Sequence, residues 1–126
     1  MNEEIDVIYN RYGEPVLRLL DNTRFVGFDG KSVGYLDSRN LYNYNGKHVG
    51  WFENGIMRDH NGACVGFGEH PTDVPRPFLP FKQFKPFPAF VEFEPFKQFK
   101  QLAPFKPLKQ FGWSELEPNG LFFQNI

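Results

Sequence analysis

Four copies of one short motif occupy the first half of the chain, and no other feature limits its possible folds as strongly. In each copy a glycine is followed three residues later by a valine, and these pairs are Gly13 and Val16, Gly30 and Val33, Gly46 and Val49, and Gly62 and Val65. Successive glycines are 17, 16 and 16 residues apart. A repeat of this kind indicates one supersecondary unit that occurs four times and shares a common core.

The residues before each glycine indicate that the unit is a β-hairpin. Asp29-Gly30, Asn45-Gly46 and Asn61-Gly62 lie between apolar segments, which is the strongest short-range hairpin signal. We therefore predict four hairpins with type I′ turns, whose two central residues both have positive φ. An apolar residue lies five positions before each glycine, and these residues are Ile8, Phe25, Leu41 and Met57. Because a single hairpin is marginally stable in water, residues 1–70 are expected to form one four-hairpin domain.

A second glycine follows the valine in three of the copies and precedes an aromatic residue. These pairs are Gly34 and Tyr35, Gly50 and Trp51, and Gly66 and Phe67. Glycine inside a strand indicates that other atoms approach its backbone closely. Because side chains alternate along a strand, we expect the valine and the aromatic residue on one face and this glycine on the other, at the crowded centre of a pseudo-four-fold arrangement. The first copy has Leu17 in place of the second glycine and one extra residue before Asp21, which predicts a bulge.

The composition changes after Glu69. Residues 71–111 contain no glycine, nine of the 11 prolines and ten of the 16 phenylalanines. Within them an apolar residue stands at every third position: Phe78, Phe81, Phe84, Phe87, Phe90, Phe93, Phe96, Phe99, Leu102, Phe105, Leu108 and Phe111. Polyproline II has three residues per turn, unlike an α-helix or a strand, so residues 71–111 are predicted to form an extended polyproline II-like arm. Residues 90–94 are also compatible with a short strand.

The arm is too long to lie straight on its own domain. As a polyproline II rod the 34 residues from Phe78 to Phe111 would extend roughly 105 Å, whereas a 70-residue domain has a radius of gyration of about 11 Å. Ten exposed phenylalanines would also exceed the apolar patches that monomers usually tolerate. The arm must bend around the domain, pack against another copy or occupy a partner's groove. Residues 1–70 carry seven basic and ten acidic residues, hence −3, and residues 71–111 carry seven and three, hence +4, so contact between them is favoured.

Residues 112–126 are predicted to anchor the C-terminus. Ser114 and Glu117 have the spacing of a capping box, for a short helical turn that Pro118 and Gly120 would end. Three apolar residues, Leu121 to Phe123, follow that turn.

Composition excludes several classes of protein. No apolar run approaches the roughly 20 residues of a membrane span, and the single cysteine, Cys64, excludes an internal disulfide framework. The acidic start, residues 1–6, lacks the pattern of a secretory signal, so a cytoplasmic location is expected. The lysines that alternate with phenylalanine in the arm resemble stacking platforms for single-stranded nucleic acid, but the net charge of −1 makes that partner a poor prediction.

Candidate catalytic and metal-binding residues are few. The position two residues after each turn glycine is held by Pro15, Ser32, His48 and Cys64. Four-fold symmetry would bring His48 near Cys64, but proline and serine at the other two positions leave fewer than the three or four ligands that zinc usually takes. His60 and His70 have no metal-ligand spacing and are expected at the surface. We therefore expect no catalytic residue, no metal and no cofactor.

Two further sets of residues have alternative interpretations. One acidic residue closes each copy, and the set is Asp21, Asp37, Glu53 and Glu69. These carboxylates are either solvated strand ends, a cation site or acceptors for the lysines of the arm. The aromatic residues of the repeats, with Tyr44 and Trp51 as the best candidates, form either a carbohydrate-binding surface or part of the core.

The four glycine motifs, the Pro/Phe/Lys triplets and the Trp113-Ser114 segment together resemble the bacterial family described as four-fold β-flower proteins. The resemblance implies a pseudo-four-fold arrangement of hairpins and brings no activity or catalytic residue. We therefore expect an all-β protein that acts as a non-enzymatic structural or interaction module. Its phenylalanine arm would pack on the β domain, another copy or a partner, and a homo-oligomer is the first expectation. The alternative is a small-ligand or carbohydrate-binding module.

Overall fold

The four predicted hairpins are present and close into a barrel in the computed structural model, which describes residues 3–72 and 78–124. All neighbouring strands are antiparallel, and β8 returns to β1 through the pair Tyr9 and Phe67. Residues 73–77, which the sequence assigns to the start of the arm, lie outside the described residues. The strands are β1 (Glu4–Tyr9), β2 (Pro15–Leu20), β3 (Arg24–Gly27), β4 (Ser32–Asp37), β5 (Asn40–Tyr42), β6 (His48–Glu53), β7 (Ile56–Arg58) and β8 (Cys64–Phe67), and one helix, α1 (Pro118–Phe122), follows.

The hairpin turns differ from the predicted type I′. Only the glycine of each turn has positive φ, between 80° and 84°, and the residue before it does not. In the third hairpin the Gly46 N–H donates to the Asn43 carbonyl and the Asn43 N–H to the Lys47 carbonyl, which is a three-residue loop with a type I turn and a left-handed glycine. The Asn43 side-chain oxygen also accepts the N–H groups of Asn45 and Lys47, at 3.0 and 3.1 Å. Asn10 and Asp59 do the same in the first and fourth hairpins, so an Asx side chain selects this turn.

The interior of the barrel is filled by one apolar side chain from each hairpin and by α1. The four predicted residues, Ile8, Phe25, Leu41 and Met57, are fully buried in one cluster, which also contains Leu121 and Phe122 of α1. The second glycine of the last three copies faces this cluster, as predicted. A methyl group on Gly66 would lie 2.8 Å from the Tyr9 carbonyl oxygen and 2.9 Å from Pro118 Cγ. Leu17, which replaces the glycine in the first copy, is itself buried here.

The repeated valine lies on a different face from the one that strict alternation predicts. In every hairpin this residue has no partner on the neighbouring strand. In the second hairpin, for example, Gly34 pairs with Phe25 and Ser32 pairs with Val26, which leaves Val33 unpaired between them. The skipped residues are Val16, Val33, Val49 and Val65. A bulge breaks the alternation of side chains, and the last three valines therefore join the interior cluster with the glycine backbone. The β1 and β2 pair has a second irregularity, between Glu4 and Asp6, in the copy where the sequence predicted one.

The C-terminal helix begins where it was predicted to end. Pro118 is at the N-terminal end of α1 and Glu117 is its N-cap, without a side-chain capping hydrogen bond. Proline suits the first turn of a helix because the N–H it lacks would have no partner there. The Ser114 hydroxyl instead accepts the Leu116 N–H at 3.1 Å. Leu121 and Phe122, in the segment predicted to anchor the C-terminus, are buried, whereas Phe123 is exposed.

Candidate interaction surface

The arm encircles the barrel and contacts the four hairpins at intervals of nine residues. Its N–H groups donate to the carbonyl oxygens of the four turn glycines: Gln83 to Gly13 at 2.8 Å, Glu92 to Gly30 at 2.9 Å, Gln101 to Gly46 at 2.8 Å and Gln110 to Gly62 at 3.1 Å. Nine residues are three turns of a three-residue helix, so the same face of the arm meets each hairpin. Residues 80–110 contain neither helix nor strand, which excludes the alternative of a strand at 90–94.

The turn glycines also allow the arm to lie close to the barrel. A methyl group on any of the four would overlap the carbonyl oxygen of an arm residue, and these residues are Phe81, Phe90, Phe99 and Leu108. Each glycine therefore meets two requirements, a left-handed φ and a contact that leaves no room for a side chain. The sequence indicated only the first of these requirements.

Polar side chains on the arm repeat with the same nine-residue interval. Glu92 and Gln101 accept the N–H groups of Ser32 and His48 at 2.7 and 2.8 Å, and the amides of Gln83 and Gln110 donate to turn carbonyls at 3.0 Å. In return, Arg24, Tyr42 and Arg58 donate to the carbonyl oxygens of Glu92, Gln101 and Gln110. This Gln/Glu spacing is visible in the sequence, but the stronger period of three conceals it.

A matched pair of substitutions tests the nine-residue register. We expect Gln101→Ala to lower the free energy of unfolding by about 1 to 2 kcal/mol, because the His48 N–H loses its acceptor. Gln98 is the same residue type one polyproline turn earlier, and its backbone N–H rather than its side chain bonds the barrel, at Tyr44. Gln98→Ala should therefore change the stability by less than about 0.5 kcal/mol. Urea unfolding of both variants measures the difference, and equal effects would contradict the register.

The stretch of the arm described from residue 78 onward begins and ends beside β8. Phe78 stacks on Trp113 with ring centroids 5.3 Å apart and planes inclined by 15°. The Ser114 N–H donates to the Cys64 carbonyl at 2.8 Å, and the Cys64 N–H donates to the Gly112 carbonyl at 3.0 Å. The arm thus makes one complete circuit of the barrel.

The lysines of the arm point toward the acidic residues that close the repeats. Lys100 and Lys106 form ion pairs with Asp37 and Glu53, and Lys85 pairs with Glu69 at 2.8 Å. The hydrogen bond from Lys106 holds the pKa of Glu53 below its usual value. Of the interpretations considered for these carboxylates, lysine acceptors fit three of the four, and Asp21 is exposed. Within residues 3–72 and 78–124 no group of three or more potential ligands is placed to hold a metal ion.

The apolar side chains of the arm point away from the barrel. We call them the girdle: Phe81, Phe84, Phe87, Phe90, Phe93, Phe96, Phe99, Leu102, Phe105, Leu108 and Phe111. The first ten are 86% to 103% exposed and Phe111 is 62% exposed. Phe78 differs because Trp113 partly covers it. Of the three alternatives for the arm, its backbone and its polar side chains lie on its own domain, whereas the phenylalanine rings of the girdle do not.

His48 pairs with His60 rather than with Cys64. His48 Nδ1 lies 3.0 Å from His60 Nε2, and His48 Nε2 lies 3.0 Å from Asn40 Oδ1. Burial, and to a smaller extent the neighbouring His60, lowers the pKa of His48 to about 4. Cys64 belongs to a separate buried cluster with Tyr9 and Phe67. His60 is half-buried against His48, so it was wrongly expected at the surface.

The two aromatic residues proposed for ligand binding, Tyr44 and Trp51, do not expose a pair of ring faces on which a ligand could stack. Trp51 is only 5% exposed, and the rings of His48 and His60 lie against it at 4.9 and 5.6 Å. Tyr44 is half-buried and its hydroxyl donates to Glu94 at 2.8 Å. Burial and this bond raise the pKa of the Tyr44 phenol. The two residues therefore support the core interpretation better than a carbohydrate surface.

Four hairpins in a closed eight-stranded barrel, encircled by the chain's own arm, define a small pseudo-four-fold β domain. The model of the family described as 4-fold beta flower protein matches residues 6–122. The chain belongs to this family, as its repeats suggested. No curated protein and no solved structure matches the chain. The family description names a fold and no reaction, so it assigns no activity. Among the described residues, no helix is long and apolar enough to cross a membrane.

Proposed function

We propose that this protein is a non-enzymatic interaction module in which the barrel is the scaffold and the girdle is the contact surface. The observation that carries the proposal is the outward direction of all eleven girdle side chains. Fully burying one such side chain stabilises a complex by about 1.5 to 3 kcal/mol. A partner gains free energy with each girdle side chain that it covers, and this gain must exceed the entropy cost of association.

The charges of the arm favour an apolar partner. Lysines at four positions along the arm form ion pairs with the barrel carboxylates Asp37, Glu53 and Glu69, and one of the four, Lys82, also donates to the Glu69 backbone carbonyl. Their positive charge is therefore largely neutralised on the inner side of the girdle. Nucleic acid and other polyanions bind mainly through free lysines and arginines, and this surface offers them few.

The arm is also held in its extended form before any partner arrives. Backbone hydrogen bonds fix it at each of the four hairpins. A surface that is ordered in advance loses little conformational entropy on binding, so more of the gain from burial appears as affinity.

Substitutions within and outside the girdle test the proposal. We expect the full chain to bind an apolar fluorescent dye and to be retained on a phenyl-substituted resin. The triple variant Phe84→Gln, Phe87→Gln and Phe93→Gln should bind less dye and elute earlier, because three of the eleven girdle side chains are removed.

The control makes the same chemical change at exposed apolar residues outside the girdle. Ile5, Tyr12 and Phe123 are 59%, 64% and 69% exposed, and their replacement by glutamine should leave dye binding and retention close to wild type. Equal losses in the two triple variants, or a wild-type chain that neither binds dye nor is retained, would contradict the proposed function.

A further inference from the structure

The repeat distance of the girdle limits what can pack against it. Polyproline II rises about 3.1 Å per residue, so consecutive girdle side chains are about 9 Å apart along the arm. Carbon atoms in contact are about 3.5 to 4 Å apart, and a ring inserted between two others therefore needs about 7 to 8 Å. Each interval of the girdle is wide enough for one aromatic ring and too narrow for two.

Only a partner with the same repeat can fill several consecutive intervals. An α-helix repeats every 5.4 Å, and alternate residues of a strand are about 6.8 Å apart, so both fall out of step with the girdle after one or two side chains. Another girdle has the required repeat. Resting on the proposed function, we infer that the partner is a second copy of this chain, and that copies associate side by side with their girdle rings interdigitated.

The electrostatics of the girdle permit this approach. Lys85, Lys100 and Lys106 are turned toward barrel carboxylates, so two girdles meet without a row of unpaired positive charges on each side. The backbone of the arm lies against the barrel, where the N–H groups of Gln83, Glu92, Gln101 and Gln110 are bonded, and the rings lie on its outer side.

The curvature of the girdle sets the size of one contact. A circuit of roughly 105 Å corresponds to a radius of about 17 Å, so two convex girdles touch along a short arc with about three side chains on each copy. Aromatic side chains bury at most about 150 to 250 Å² each, giving about 900 to 1,500 Å² in total. This area is at the lower end of specific protein interfaces.

Because such arcs face outward all around the barrel, association does not stop at a dimer. Equivalent atoms of the four hairpins hold the arm, so the girdle lies in one plane across the barrel axis. Contacts made through it extend in that plane, and the assembly grows as a layer one barrel thick. Each contact is weak, and the extent of growth therefore depends on protein concentration.

Sedimentation velocity of the full chain, from low micromolar to submillimolar concentration, tests this inference. We expect the weight-average mass to rise several-fold and continuously, without a plateau at the dimer, and negative-stain images to show single layers. The triple variant Phe84→Gln, Phe87→Gln and Phe93→Gln loses one arc of the girdle and keeps the others, so its weight-average mass should rise clearly less than that of wild type at each concentration. The triple variant at Ile5, Tyr12 and Phe123 should assemble like wild type. Circular dichroism checks that all chains are folded, which is expected because every substituted side chain is exposed.

The alternative outcomes separate this inference from the proposed function. A wild-type chain that stays monomeric at every concentration but binds the apolar dye would overturn the second copy as partner and leave the girdle as a surface for a foreign protein. A discrete dimer would overturn growth in a layer. Assembly that the girdle substitutions do not reduce would overturn both the inference and the role of the girdle.

Discussion

Replacing Gly50 by alanine is expected to lower the free energy of unfolding by about 4 kcal/mol or more, or to prevent folding. The added methyl group would overlap the Arg58 carbonyl oxygen on the neighbouring strand β7 and would lie 3.4 Å from Leu121 Cδ2 of α1. Overpacking a core usually costs about 1 to 3 kcal/mol, because side chains can change rotamer to make room. Here the obstacle is a backbone carbonyl, which moves only if the strand pairing moves with it. Urea unfolding of the variant and the wild type measures the loss.

Gly120→Ala is the matched control for this substitution. Gly120 lies in α1, and a methyl group placed there would have no atom within 4 Å. Alanine is favoured over glycine inside a helix by up to about 1 kcal/mol, so this variant should be unchanged or slightly more stable. A Gly50→Ala variant with wild-type stability would show that the strand glycines Gly34, Gly50 and Gly66 do not limit the packing of the interior. Equal losses of stability in the two variants would show that the destabilisation does not come from the contact between Gly50 and strand β7.

The close packing at the strand glycines was predictable because the signal for it lies within each repeat. The spacing of Gly34, Gly50 and Gly66 repeats with the hairpins, and a strand glycine without a turn to explain it indicates a close neighbour. The identity of that neighbour was not predictable. Helix α1 follows the strands by about fifty residues, and its first residue, Pro118, suggests the end of a helix as readily as its start.

Other features of the structure were also not predictable, because they depend on side chains outside the motif that suggested them. The turn type depends on the side chains of Asn43 and Asp59, two positions before the Asn-Gly dipeptide that dominates the hairpin signal. The pairing of His48 with His60 joins two hairpins, and the curvature of the barrel decides which neighbours meet. The outward direction of the girdle follows from the contacts that the other two faces of the arm make with the barrel. Those contacts repeat every nine residues, at Gln83, Glu92, Gln101 and Gln110, and only the four-fold spacing of the hairpins gives that interval a meaning.

Acidification from pH 7 to pH 4 is expected to destabilise the wild-type protein by about 3 kcal/mol more than the variant His48→Gln. Burial lowers the pKa of His48 from 6.5 to about 4 in the folded protein. Below pH 6.5 the unfolded chain therefore takes up a proton at His48 that the folded chain does not. The contribution of neutral His48 to the free energy of unfolding is fully present above pH 6.5 and is lost as the pH falls toward 4. Glutamine keeps a polar side chain beside Asn40 but does not titrate.

Comparison with the His48→Gln variant separates the contribution of His48 to the pH dependence of stability from that of the carboxylates. The pKa values of Glu53 and Glu69 are lowered by bonds from Lys106 and Lys85, for Glu69 against the opposing effect of burial. Their contribution is lost as the pH falls below about 4.5, equally in wild type and variant, so it cancels in the difference. It also weakens in salt because these ion pairs are partly exposed, whereas the His48 effect depends on burial and does not. A His48→Gln curve that keeps the wild-type slope between pH 6.5 and 4 would assign the pH dependence to His60, whose pKa is also lowered by burial.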